Sequence, residues 1–409
     1  MKSTTEIRFH LYAIFRNARL FDAFFILFLV YELQFSFTHV GLILAFEKII
    51  TGGLELPMAV VADRYGRRRC LAGSFSLVAA ACLLFGIAPQ NQHPLLLVLI
   101  GQTIYAAGES LRTGTHKAMV LQWLDARAEK HRRVALLGSM RFFSKTSGGF
   151  AALMGGIIVW RSGSFSPLFF ISAIPAGVCA AMLLGYPATV EGRSERQAAP
   201  RPNQHTHWAT LIQSAKQPGL WLLLAPSILF ESQLKLAQVY LQPALATGAQ
   251  HAGYGTMGGV GALLVGAYLC LSGVLAGSAA LAAKHLSRRF KSAARAQVAI
   301  HGVSASVLGI SAIAFSLDRI EFALVFLVGL AALQNARRPL FLAAVADEMV
   351  ADHRTTILSL ESQLRSGLYA VSSIGSGWLA DQHGLGASFY FMAGIVGIAW
   401  LVSGRRASM

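Results

Sequence analysis

Residues Glu55 to Arg69 read ELPMAVVADRYGRRR, and the rest of the chain can be placed outward from them. An apolar run ends at Ala62, followed by an acid at Asp63, a cation at Arg64, a glycine at Gly66 and three more arginines at Arg67, Arg68 and Arg69. This is the pattern of a helix that ends at an aqueous surface. The acid sits on a tight connection, glycine admits a left-handed turn, and guanidiniums gather beyond it. A connection built in this way can make and break ion pairs.

Apolar stretches lie on both sides of this connection. A helix needs about 20 mostly apolar residues to cross a hydrocarbon layer of about 30 Å. Such stretches recur at 9–33, 38–62, 70–88, 95–122, 133–160, 166–187, 218–243, 256–284, 294–316, 321–346, 354–380 and 386–403, which predicts twelve transmembrane helices. With 55% hydrophobic and 13% charged residues and a mean hydropathy of +0.54, the chain is an all-α polytopic membrane protein and not a water-soluble enzyme.

The net charge of +16 is sorted by side. Arg64, Arg67, Arg68 and Arg69, then Arg127, Lys130, Arg132 and Arg133, then Arg193, Arg196 and Arg201, then Arg288, Arg289 and Lys291 fall on one set of connections, while the other set carries only Arg161 and Arg319. Lys and Arg are retained on the cytoplasmic side, so both termini and the long middle connection are expected in the cytoplasm, with the protein in the plasma or bacterial inner membrane. Topology accounts for the charge, and no nucleic-acid partner is expected. The first span is too long and too charged at its start for a removable signal sequence and is expected to stay in the protein.

Residues 188–217 form the long polar connection, with six spans on each side. This predicts an amino-terminal bundle at 1–187, a cytoplasmic linker and a carboxy-terminal bundle at 218–409. The halves share a short register: Leu20-Phe21-Asp22 aligns with Leu229-Phe230-Glu231, and Val30-Tyr31 with Val239-Tyr240. A duplicated, pseudo-symmetric pair of six-helix bundles is the expected architecture, and it places an acid in the same turn of spans 1 and 7.

At this point the sequence resembles the major facilitator superfamily, whose signature between the second and third helices reads roughly G-x-x-x-D-R-x-G-R-R. Asp63, Arg64, Gly66, Arg67 and Arg68 match it in place, and Ala59 stands where the leading glycine would be. The resemblance implies alternating-access transport, with this gating motif stabilising the outward-facing state through charge contacts to a helix of the other half. Antiporters of the family carry Gly-Pro in the fifth helix, where this chain has Ala151-Ala152, so the antiporter pattern is incomplete. The glycines that do occur there, Gly148, Gly149, Gly155 and Gly156, suit close helix packing.

Ionisable side chains within a bilayer cost about 2.5 to 3.5 kcal/mol each on insertion scales, so they face water or a partner. At middle depth lie Asp22, Arg141, Lys145, Glu231, Lys235, Glu361 and Arg365, with Arg112, Lys117, Arg337 and Arg338 deeper toward the cytoplasm. Glu231 with Lys235, and Glu361 with Arg365, are four apart on one helix face. Each is either a self-neutralised pair or a pair of groups turned to a cavity. Arg141 and Lys145 are both cations and cannot neutralise each other; with Arg112 and Lys117 they leave a positive excess toward Asp22, Glu47 and Glu109.

A cavity with surplus cations binds anions. The expected function is therefore secondary transport of a small, anionic organic solute. The substrate contacts expected are Arg112, Lys117, Arg141, Lys145, Lys235 and Arg365, with Asp22 and Glu231 as proton-coupling carboxyls. The alternatives are a proton-antiporting exporter of drugs or hydrophobic cations, held by those two acids, and a non-transporting receptor or assembly factor on the same fold. The partners expected are the lipid bilayer, the solute and the proton as coupling ion; a monomer suffices. No catalytic motif, cofactor or metal site is expected. Cys70, Cys82, Cys179 and Cys270 lie within spans without paired spacing and read as packing residues. His116 reads as an interfacial residue, and Trp123, Trp160, Trp208, Trp221 and Tyr390 as interface anchors.

Overall fold

The computed structural model describes residues 4–112, 115–129, 132–186, 218–254, 259–290, 292–348 and 351–408. The expected linker, including Trp208, therefore lies outside the described residues. The helices are α1 (Thr4–Asn17), α2 (Phe37–Tyr65), α3 (Arg67–Ile87), α4 (Pro94–Arg112), α5 (Thr115–Asp125), α6 (Arg133–Ser162), α7 (Ser166–Leu184), α8 (Pro218–His251), α9 (Val260–Arg289), α10 (Ala293–Ser316), α11 (Ile320–Leu327), α12 (Leu330–Glu348), α13 (Ala351–His383) and α14 (Leu385–Ser408). No strand occurs among the described residues.

Ten helical segments among the described residues are long and apolar enough to cross a membrane, and they match ten of the twelve expected spans. The other two are the first and the eleventh. The eleventh is one continuous 33-residue helix, α13, whose charges include Glu361, Arg365 and Asp381. The first is not one helix. After α1 the chain is extended at Arg19 (φ −100°, ψ 100°) and then forms a tight turn at Leu20–Ala23, a short turn at Phe25–Leu27 and a wide turn at Phe28–Glu32.

Side-chain hydrogen bonds tie the chain around this break to neighbouring helices. Leu20 N–H donates to Ser172 Oγ at 2.9 Å, Ser147 Oγ donates to the Ile14 carbonyl at 2.8 Å, and Asn17 Nδ2 donates to the Ser144 carbonyl at 3.1 Å. A broken helix is tolerated at membrane depth when neighbours satisfy its backbone in this way.

Contacts divide the chain into two units. The first comprises residues 1–36, 43–197 and 245–277. Small residues let its helices meet at backbone distance: a Cβ on Gly149 would lie 3.0 Å from the Cys270 carbonyl oxygen, and one on Gly156 would lie 2.6 Å from that of Ala262. Gly149 and Gly156 of the fifth span thus serve close packing of α6 against α9, whereas Gly155 faces Leu20 and Phe24. Ala62, Cys70 and Leu111 form a buried apolar cluster with Met58, Val61 and Leu77 beside it.

The second unit comprises residues 37–42, 198–244 and 278–409. Its core packs Leu220, Leu223, Leu224 and Ile228 of α8 with Phe341 and Ile357. The first turn of α2 docks on α13 here. Ser373 Oγ donates to the Gly41 carbonyl at 2.9 Å, and the Asp381 carboxylate accepts from the N–H groups of Phe37 (2.8 Å) and Thr38 (2.7 Å).

Two smaller expectations are corrected. Trp123 is buried rather than interfacial, edge-on to Phe9 with Arg127 over its ring at 4.5 Å. His116 is buried as well, stacked on Tyr12 at 3.5 Å. All four cysteines are free, and three are buried.

Candidate functional site

Each unit holds a cluster of ionic side chains within its helices. In the first unit the break after α1 brings Arg19 and Asp22 next to α4. Arg19 Nε lies 3.1 Å from Asp22, and its Nη1 lies 3.3 Å from Glu109 and donates to the Tyr105 hydroxyl at 2.5 Å. Arg112, one turn along α4, grips the same Glu109 through Nε at 3.1 Å and through Nη2. Arg16 lies within electrostatic reach of Arg112 and Glu109, and its buried Nε has no hydrogen-bond partner. Two guanidiniums, Arg19 and Arg112, thus share Glu109, Arg19 also pairs with Asp22, and Arg16 lies close by.

The second unit sets three guanidiniums against two carboxylates. Arg337 and Arg338 are consecutive on α12, so their side chains leave the helix about 100° apart. Arg337 Nη2 reaches Glu231 on α8 at 2.9 Å, and Arg338 Nη1 reaches Glu361 on α13 at 3.1 Å. Arg365 Nη1 bonds the same Glu361 oxygen at 3.1 Å. Ser227 Oγ joins the two pairs by accepting from Arg337 at 3.0 Å and donating to Glu361 at 2.9 Å. Gln334 donates to the other oxygen of Glu231 at 2.8 Å, and Gln238 donates to Gln334 at 2.6 Å. Arg337 has no exposed surface and lies 5.0 Å from the Phe230 ring and 5.1 Å from that of Phe341. Buried charges require this degree of pairing.

The expected site residues fall into two groups. Arg112 and Asp22 meet in the first cluster, and Glu231 and Arg365 belong to the second. Lys117 and Lys145 are exposed, Arg141 is half-buried and Lys235 is exposed. Glu361 and Arg365 do pair across four residues, joined by Arg338, whereas Glu231 is held by Arg337 and Gln334 from α12. Asp22 and Glu231, equivalent in the internal alignment, differ in local structure: one lies on a tight turn, the other inside a long helix. Each nonetheless meets an arginine.

Arg337 and Arg338, expected within a span but given no role there, and Arg16 join the candidates. Their signal was present as arginines within apolar runs, but which acid each would meet depends on packing.

In the motif between α2 and α3, Gly66 has φ 91° and ψ 136°, a positive φ that glycine supplies without strain, although ψ is extended rather than left-handed helical. Arg67 Nη1 donates to Gln122 Oε1 at 2.8 Å and Arg68 Nη1 to the Tyr186 carbonyl at 2.7 Å, while Arg64 lies 5.7 Å from the Tyr65 ring. The side chains of Asp63 and Ala59 lie outside those described.

A helical membrane protein with paired ionic side chains inside its helices is thereby defined. The profile of the Major Facilitator Superfamily matches residues 13–367, and the chain belongs to that family. Among solved structures it is similar to the nucleoside transporter NupG (TM-score 0.73, 14% identity, 98% of this chain and 97% of that one). It is also similar to a bacterial homologue of the iron transporter ferroportin in an inward-facing state (TM-score 0.76, 14% identity, 100% of both chains). A D-xylose-proton symporter gives a TM-score of 0.73 at 14% identity, covering 98% of this chain and 96% of the other. At these identities the likeness is one of fold. No curated protein sequence matches the chain significantly.

Proposed function

We propose that this protein is a secondary transporter that moves a small, anionic organic solute across the plasma or bacterial inner membrane by alternating access. The observation that carries the reading is the charge count in the second cluster: among the described residues, Arg337, Arg338 and Arg365 are set against Glu231 and Glu361, leaving one positive charge over. An unbalanced cation inside a membrane is costly, and an anionic ligand relieves that cost. Arg112 and Arg365 belong to these clusters; Lys117, Arg141, Lys145 and Lys235 are the proposed contacts on approach. The working form is a monomer of two six-helix halves, 1–187 and 218–409, with the linker and both termini in the cytoplasm.

Asp22 and Glu231 are the proposed coupling carboxyls. Each pairs with an arginine, so protonation would cancel one negative charge of its cluster and change what the cluster can bind. The proton symporter among the structural neighbours is in keeping with this. Export of hydrophobic cations finds less support, because both acids are already engaged by guanidiniums.

The test is thermal stability of the purified protein against anions (succinate, inorganic phosphate), a neutral solute (glucose) and a cation (choline), since a ligand of the folded state raises the melting temperature. Stabilisation by an anion alone is expected; stabilisation by choline alone would reverse the assignment. In proteoliposomes, neutralising Arg141 and Lys145 is expected to abolish transport of that anion, and Asp22→Asn with Glu231→Gln to abolish its pH-driven accumulation.

A further inference from the structure

We infer that Arg338 and Arg365 are the docking point for the anionic group of the solute in the second unit, and that Glu361 occupies this point when no solute is bound. The inference rests on the anion reading above and adds a place and an internal competitor to it.

The six ionic and hydroxyl groups of this cluster are not equivalent. Arg337 is fixed: it is fully buried, flanked by two phenyl rings and held by Glu231 and Ser227. Arg338 and Arg365 retain exposed side-chain surface, 22% and 14%, whereas the Glu361 side chain between them has none. Both Nη1 atoms bond the same Glu361 oxygen, so the two guanidiniums face one carboxylate from two helices. A guanidinium carries five N–H donors, and Arg338 directs two nitrogens at Glu361, the second at a long 3.4 Å. Arg365 directs one nitrogen at Glu361 and the other Nη at Ser362, 3.0 Å away.

Two planar forks converging on one carboxylate form a receptor for a carboxylate or phosphate, and that receptor already contains one. Glu361 is tethered by its own helix and stabilised from behind by Ser227 Oγ. An incoming anion would take over the outward donors of Arg338 and Arg365 and leave Glu361 to Ser227. The same hydroxyl accepts from Arg337, so displacement at Glu361 reaches the Glu231 pair through one bond.

The competitor makes the inference testable in both directions. The probe is whichever of succinate and inorganic phosphate stabilises the wild-type protein, titrated by thermal shift. Arg338→Gln and Arg365→Gln should each weaken its apparent Kd by about tenfold, the loss of one charge-assisted contact, and Arg338→Lys should recover part of it. Glu361→Gln should tighten binding by about tenfold, because the tethered competitor is gone; a merely structural carboxylate would not do this. Should a glutamine variant fail to fold, Arg338→Lys and Arg365→Lys, which keep the charge but lose the planar fork, should each still bind more weakly than wild type. Wild-type affinity in the Arg338 and Arg365 variants would overturn the inference while leaving the anion reading intact. Failure of both probes to stabilise the wild-type protein would remove that reading, and this one with it.

Discussion

Arg337, without exposed surface, donates to Glu231 across 2.9 Å from a neighbouring helix. Removing one partner of such a pair leaves a buried charge uncompensated and costs about 3–5 kcal/mol. Arg337→Gln and Glu231→Gln should each lower the unfolding temperature in detergent sharply. The double variant should lose much less than the two losses together. Additive losses would mean that the two side chains act independently, against the geometry described.

Asp381 caps the start of α2 from the end of α13, accepting from the N–H groups of both Phe37 and Thr38. Asp381→Ala should cost about 1–2 kcal/mol, the usual value of a lost helix cap. Hydrogen exchange at the Phe37 and Thr38 amides should accelerate, and Asp381→Asn, which keeps one acceptor, should show a smaller effect. Unchanged exchange in the alanine variant would show that the cap does not hold this turn.

The glycines sort into those that touch backbone and those that do not. A Cβ on Gly266 would lie 2.6 Å from the Ala152 carbonyl oxygen, and one on Gly53 would meet nothing within 4 Å. Gly266→Ala should destabilise by about 1–3 kcal/mol through overpacking. Gly53→Ala, inside α2, should stabilise by up to about 1 kcal/mol through helix propensity. Thermal unfolding of both variants checks the contrast in sign.

The break after α1 depends on Ser172, whose hydroxyl accepts from the Leu20 N–H. Ser172→Ala leaves that donor without its partner at an expected cost of about 1–3 kcal/mol. Ser172→Thr, which keeps the acceptor, should be milder. Equal stability of the alanine variant and the wild type would place the cause of the break elsewhere.

Most of the helical architecture was legible in the chain because crossing hydrocarbon imposes a length and an apolar content that any reader can count. The two spans that departed from that rule did so for a visible reason: Arg16, Asn17 and Arg19 interrupt the first, and charges crowd the eleventh. The spacing of Glu361 and Arg365 foretold a real pair because both lie on one helix, where four residues bring side chains together. The same rule applied to Glu231 and Lys235 did not foretell Arg337, since a partner on another helix has no fixed sequence distance.

The order of residues by itself determined that this chain enters a membrane as helices, which connections carry its positive charge, and that a short acid-glycine-arginine motif joins α2 to α3. Tertiary structure alone decided which arginine neutralises which acid, that Ser227 ties two ion pairs into one, and that Arg338 belongs with them. The reason is range. Hydropathy and helical periodicity act over neighbouring residues, whereas a buried charge is satisfied by whatever packing brings within about 3 Å of it, however far away along the chain.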